Sequence, residues 1–171
     1  MIILVMGVAG SGKTTIGTLL AQKLGWAFLD ADEFHSPANR EKMHRGIPLT
    51  DADRTPWLTA IHEELLRRDT NGQSAVLACS ALRQSYRDLL CANLLVSIVY
   101  LRATTEQLHR NFGTRQHHFA GENLIPSQFA TLEEPANALI EDVSKTPGEI
   151  VANICRQFSL QSSRRHDELL G

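Results

Sequence analysis

Eight residues near the start of the chain, Gly7-Val8-Ala9-Gly10-Ser11-Gly12-Lys13-Thr14, constrain it more than any other feature. They fit the pattern G-x-x-x-x-G-K-[ST] at every fixed position. Glycines at those positions let backbone N–H groups converge on a phosphate without Cβ clashes. If a helix opens just after the loop, its N-terminus adds favourable charge for an anion. In such a loop Lys13 neutralises β- and γ-phosphates, and the Thr14 hydroxyl ligates Mg²⁺. A chance glycine-rich turn would need no special flanks. Here the apolar run Ile2 to Met6 precedes the loop, and Ile16, Leu19, Leu20 and Leu24 follow at helical spacing. Strand, loop and helix in that order are the context a phosphate cradle requires.

The rest of the chain alternates in the same way. The sequence predicts strands at Ile2–Met6, Trp26–Leu29, Ala75–Cys79, Leu94–Leu101 and, more weakly, Ala138–Val143. Helices are predicted at Lys13–Leu24, from Ser36-Pro37 to Gly46, at Trp57–Arg68, Leu82–Cys91, Thr105 to about Phe112, and Pro147–Phe158. The predicted Trp57–Arg68 helix turns Trp57, Leu58, Ile61, Leu65 and Leu66 to one side, and Pro48 to Thr55 reads as a polar turn. Alternation of this kind predicts an α/β fold of three layers, a parallel sheet with helices on both faces. No linker divides the chain, so one domain is expected over residues 1–158. It includes a mobile lid over about 113–125 and is followed by a polar, partly disordered tail at 159–171.

Composition narrows the function. The 171 residues carry a net charge of −2, which gives no electrostatic case for nucleic acid or membrane surfaces. Arg far outnumbers Lys, which favours an anionic ligand. The three cysteines, Cys79, Cys91 and Cys155, form no C-x-x-C pair, and Cys79 reads as core. With neither a disulfide framework nor a zinc site suggested, a cytoplasmic protein is expected, and the apolar start is too short for a signal peptide or a membrane span. A GTPase would need an Asn-Lys pair, which the sequence lacks. Its only D-x-x-G, Asp69 to Gly72, precedes a strand instead of following one. A motor ATPase would end a strand beside the loop in an acid, yet the third and fourth strands run into Ser80 and Arg102. A kinase for a small molecule or a nucleotide remains.

Other residues suit that chemistry. Asp30 and Asp32 follow the second strand, where one carboxylate can order Mg²⁺-bound water and the other can accept a substrate hydroxyl proton. His35 completes that group on the substrate side. Arg54, just before Pro56-Trp57, is a candidate anion clamp, while Asp51 and Asp53 could cap the helix after them. Arg83 adds a second cation for a carboxylate. In the polar stretch after the Thr105 helix, Arg115 suits the transferring phosphate and His118 a substrate contact. Adjacent histidines such as His117 and His118 rarely converge on one metal ion. His44, His62, His109 and His166 read as surface residues.

The sequence resembles the gluconokinase family, P-loop kinases of the shikimate-kinase-like group, from Ile2 to about Phe158. The resemblance rests on Met6–Thr14, Phe28–Asp32 through His35, Asn39 with Lys42-Met43, and Gly46–Leu49 to Asp53-Arg54 and Pro56–Leu58. It continues through Cys79–Leu82, Tyr86–Asp88, His118-Phe119, Gln128-Phe129 and Thr131–Glu133. It implies a five-stranded parallel sheet in the order 2-3-1-4-5, ATP and Mg²⁺ as cofactors, D-gluconate as substrate and 6-phosphogluconate as product. It also implies that a homodimer is common among relatives. The chain departs from the family pattern at Asn111, His117 and Ala130, where relatives usually carry Arg, Gly and Glu. A kinase for another hydroxy acid such as shikimate, or a nucleotide-binding regulator without catalysis, is the alternative.

Overall fold

A computed structural model of the chain describes residues 1–113 and 125–161, with the side chains of all but 111–113. The expected lid, with Arg115, His117 and His118, and the tail beyond 161 lie outside the described residues.

The centre of the molecule is the strand β1 (Ile2–Met6), every residue of which is buried. A run that is apolar without alternation suits a strand covered on both faces. Ile2, Leu4 and Met6 face a cluster that includes Leu58, Ile61, Leu65 and Leu90. Ile3 and Val5 face the opposite way, onto Ile16, Leu20, Leu24, Ile150 and Ile154. The pleat thus sorts one short segment between two helical layers.

Four more strands complete the sheet: β2 (Ala27–Asp30), β3 (Ala75–Ala78), β4 (Val96–Arg102) and β5 (Leu139–Asp142). All pairings are parallel and the order is β2-β3-β1-β4-β5. Among the described residues the helices are α1 (Lys13–Leu24), α2 (Pro37–His44), α3 (Asp51–Thr70), α4 (Gln84–Cys91), α5 (Thr105–Gly113), α6 (Ile125–Thr131) and α7 (Pro147–Gln157). Because the strands are parallel, the loop after β1, Asp30 at the end of β2, and the Cys79-Ser80 loop after β3 open on one edge of the sheet. That carboxyl edge is where open α/β sheets hold their ligands.

The largest departure from the sequence reading is α3, which begins six residues before Trp57. Thr50 is its N-cap, and Asp53 at the third helical position closes a capping box. The Thr50 N–H donates to Asp53 Oδ2 at 2.9 Å, and the Asp53 N–H donates to Thr50 Oγ1 at 3.2 Å. This reciprocal cap starts the helix upstream and carries it through Pro56, whose missing N–H forfeits one bond to Ala52. Asp53 thus takes part in the cap as its third-position partner, whereas Asp51 does not cap the helix. Leu66 lies 41% exposed, off the buried stripe of Leu58, Ile61 and Leu65. His62 is half-buried, with Nδ1 3.2 Å from the Leu90 carbonyl, and is not a free surface residue. The 3-10 turn Ala31–Phe34 and the helix α6 had no counterpart in the sequence reading.

Candidate active site

The loop after β1 is shaped by its glycines. Gly12 adopts φ 93° and is the N-cap of α1, with no side chain capping that helix. The first-turn N–H groups of α1 are therefore left for an anion. At Gly7, φ is 150°, and a Cβ would lie 2.8 Å from both the Leu101 carbonyl oxygen and Ser11 Oγ. The carbonyl belongs to β4 in the core and cannot give way. Gly7→Ala is expected to cost about 1–3 kcal/mol by overpacking and to spoil the loop. Chemical denaturation with and without ATP would measure both effects.

Four of the expected site residues are joined around this loop. Lys13 Nζ donates to the Val8 carbonyl at 3.0 Å. Burial pushes its pKa down, against the pull of Cys79, Asp32 and Asp30. The Thr14 hydroxyl donates to Asp30 Oδ2 at 3.2 Å, and Asp30 Oδ1 accepts the Asp32 N–H at 3.1 Å. Asp30 thereby caps the 3-10 turn, which is why the chain bends away from β2 there. Asp32 projects from the turn, exposed, and its carboxylate accepts no hydrogen bond among the described residues. The thiol of buried Cys79 is pushed up to about 12, chiefly by burial, which keeps it out of nucleophilic chemistry.

His35 extends this group. Its ring stacks on Trp57 at 4.4 Å between centroids, and the Trp57 indole N–H donates to the Ala31 carbonyl at 2.7 Å. His35 is 7% exposed, and its Nδ1 has no partner among the described residues. Burial first, and then Arg40 and Arg54, hold its pKa below the usual histidine value, with Asp32 opposing. The ring is consequently kept neutral, with one nitrogen able to accept a hydrogen bond.

Arg54 and Arg83 meet at Tyr86, where the first turns of α3 and α4 face each other. Their guanidinium carbons lie 5.8 and 5.6 Å from the Tyr86 ring centroid. The carboxylate of Asp51 sits among them. It accepts the Tyr86 hydroxyl at 2.5 Å and Arg83 Nη1 at 2.8 Å, and lies 3.6 Å from Arg54 Nη1. The sequence offered Asp51 only as a helix cap and Tyr86 only as part of a family motif, and neither as part of this cluster. Their i,i+35 pairing left no local signal.

Four supporting side chains, quoted in the sequence only as part of the family resemblance, acquire a place here. Gln128 Oε1 on α6 accepts the Ala9 N–H at 2.5 Å, which ties that helix to the loop after β1. Buried Arg87 donates to the Ala81 and Leu82 carbonyls at 2.9 and 3.0 Å, holding the loop after β3, where Ala81 has φ 43°. Asn39 and Lys42 on α2 reach Asp53, and the Lys42 hydrogen bond leads in lowering the Asp53 carboxyl to about 2. That clip fastens α2 to the start of α3.

The donor set can be tested against Mg²⁺. No three His, Cys, Asp or Glu side chains gather around one point among the described residues. What is present is a hydroxyl bonded to a carboxylate, Thr14 and Asp30. These are oxygen donors in the small number that suits a Mg²⁺ ion bound mostly by phosphate and water.

Comparison with known proteins bears on the fold and the family. The shikimate kinase family profile matches residues 9–158. A gluconokinase from Gluconobacter oxydans is 47% identical, over 93% of this chain and 92% of its own. Two crystal structures resemble the fold closely. One is a gluconokinase from Sinorhizobium meliloti, 38% identical with a TM-score of 0.79, covering 94% of this chain and 97% of that one. The other is an unliganded sugar kinase from Janibacter, 39% identical with a TM-score of 0.86, covering 93% and 94%. With a parallel five-stranded sheet, a glycine-shaped loop after β1 and a matching profile, the chain belongs to the gluconokinases of the shikimate kinase family.

Proposed function

We propose that this chain transfers the γ-phosphoryl group of ATP to a hydroxyl of D-gluconate, yielding ADP and 6-phospho-D-gluconate. One observation carries the reading. A carboxylate that accepts no hydrogen bond among the described residues, Asp32, stands beside the loop after β1 on one side, and a pair of arginines suited to a carboxylate stands beyond His35 on the other.

In this reading the N–H groups of Gly7–Thr14 and the Lys13 ammonium bind the phosphates. Thr14, with Asp30 behind it, would hold Mg²⁺, which when bound neutralises phosphate charge. Asp32 accepts the proton of the attacking hydroxyl as its oxygen bonds to the γ-phosphorus and the bond to ADP breaks. His35 accepts a hydrogen bond from a second hydroxyl, and Arg54 and Arg83 bind the carboxylate. Arg115 and His118 are proposed to meet the transferring phosphoryl group and the substrate. A cytoplasmic setting and a homodimer belong to the same proposal, the first suggested by the cysteine pattern and the second by the family.

A coupled ADP-release assay over sugar acids and neutral sugars tests it. Turnover of D-gluconate is expected well above that of D-glucose, because only gluconate offers a charge to the arginines. Equal turnover of the two would remove the reading. Preference for shikimate would move it to another hydroxy acid.

A further inference from the structure

The site contains a carboxylate that belongs to the chain itself. Asp51 is the first residue of α3, but Thr50 and Asp53 already cap that helix. Among the described residues, its side chain accepts hydrogen bonds only from the Tyr86 hydroxyl and Arg83, and it pairs with Arg54 at 3.6 Å. All three donors converge on one carboxylate, as they would on a ligand's. The Arg54 guanidinium also approaches the Tyr86 oxygen at 3.5 Å, so phenol and cations form one connected set. Without an anion between them, two guanidinium groups flanking one ring would repel each other. The Asp51 side chain is 63% exposed, and ion pairs so open to water are weak enough to be exchanged.

We propose that Asp51 is an internal stand-in for the substrate's carboxylate, held by Arg54, Arg83 and the Tyr86 phenol and displaced when substrate binds. The inference rests on the reading of the substrate as a polyol carboxylate, and it adds two specificity residues to that reading. Tyr86 is a third donor to the incoming carboxylate. Asp51 excludes neutral polyols, because only another anion can replace it without leaving the cations unpaired. Binding is then an exchange of one carboxylate for another. Burial and the Asp51 carboxylate hold the Tyr86 phenol above its usual pKa, so it remains a donor through the neutral range.

The test is isothermal calorimetry of D-gluconate and of the neutral polyol D-glucitol on the full chain, alongside the KM for gluconate. Asp51→Asn removes the competing charge and is expected to tighten gluconate by about 3- to 10-fold, with the gain in Kd and KM and none for glucitol. Tyr86→Phe is expected to weaken gluconate about 5- to 10-fold, again without effect on glucitol. Asp51→Ser, also well tolerated in a first helical turn, carries the same expectation as Asp51→Asn if the latter folds poorly. Gluconate binding that is unchanged or weaker in the Asp51 variants would overturn the stand-in, even with wild-type turnover intact. If the wild-type chain binds gluconate without phosphorylating it, the proposed function fails while the Kd comparison still decides the role of Asp51. No gluconate binding to any variant overturns both.

Discussion

Asp32→Asn is expected to bind ATP almost as the wild type does, yet to lose at least about 100-fold in kcat. The two acids after β2 have different surroundings, and that difference assigns their proposed roles. Asp30 has both oxygens engaged, one by the Thr14 hydroxyl and one by the Asp32 amide. An acceptor already bonded twice is poorly placed to take a proton, but well placed to order the shell of a metal ion. Asp32 is exposed and accepts nothing among the described residues, which leaves its lone pairs for a substrate hydroxyl. Phosphoryl transfer draws most of its rate from positioning and charge, so loss of the base should slow the reaction without abolishing it. Asp30→Asn should instead raise the Mg²⁺ requirement and loosen the turn that Asp30 caps. Titrating Mg²⁺ against both variants separates the roles. Rescue of Asp32→Asn by excess Mg²⁺, with no rescue of Asp30→Asn, would reverse the assignment.

Much of this site could be read from the sequence because its parts are local. The loop Gly7–Thr14 needs its residues at fixed spacing, and β1 and α1 announce themselves by period. Asp30 and Asp32 stand at a strand end that the alternation of strands and helices already predicts. The start of α3 was hidden because Pro48 to Thr55 is polar and turn-like, whereas the reciprocal Thr50–Asp53 cap starts the helix there and outweighs the one hydrogen bond lost at Pro56. Helix α6 was missed because it is short and supported from elsewhere. Ile125 and Phe129 pack on Val8, Leu82 and Leu108, and Gln128 reaches Ala9. The Asp51–Tyr86 pair could not be read at all. Its residues lie on two helices whose facing first turns depend on packing against the same side of the sheet. Tertiary contacts of that kind leave no periodic trace.

Lys13→Met should give the other large effect, with opposite signs in stability and catalysis. The methionine keeps the unbranched, apolar stem and deletes the ammonium. Burial holds the Lys13 pKa below its ordinary value, so the folded, ligand-free chain binds this proton less readily than the unfolded chain does. Linkage fixes the sign. Stability rises with pH wherever the unfolded state holds more protons. The penalty is therefore full below the lowered pKa and gone above the ordinary lysine value of about 10.4. Removing the amine should raise the ligand-free melting temperature at neutral pH by a few degrees, and that gain should fade in alkali. The bond from Nζ to the Val8 carbonyl opposes this, but a net hydrogen bond contributes only about 1 kcal/mol. Catalysis should fall by about 10²–10³, the usual cost of losing a group aimed at developing charge. The same loss should erase most of the thermal shift produced by ATP, because phosphate is what offsets the desolvated cation. Melting curves at neutral and alkaline pH, with and without ATP, would measure all of this in one series. A methionine variant less stable than the wild type without ligand would show that the Val8 bond, not desolvation, dominates at Lys13.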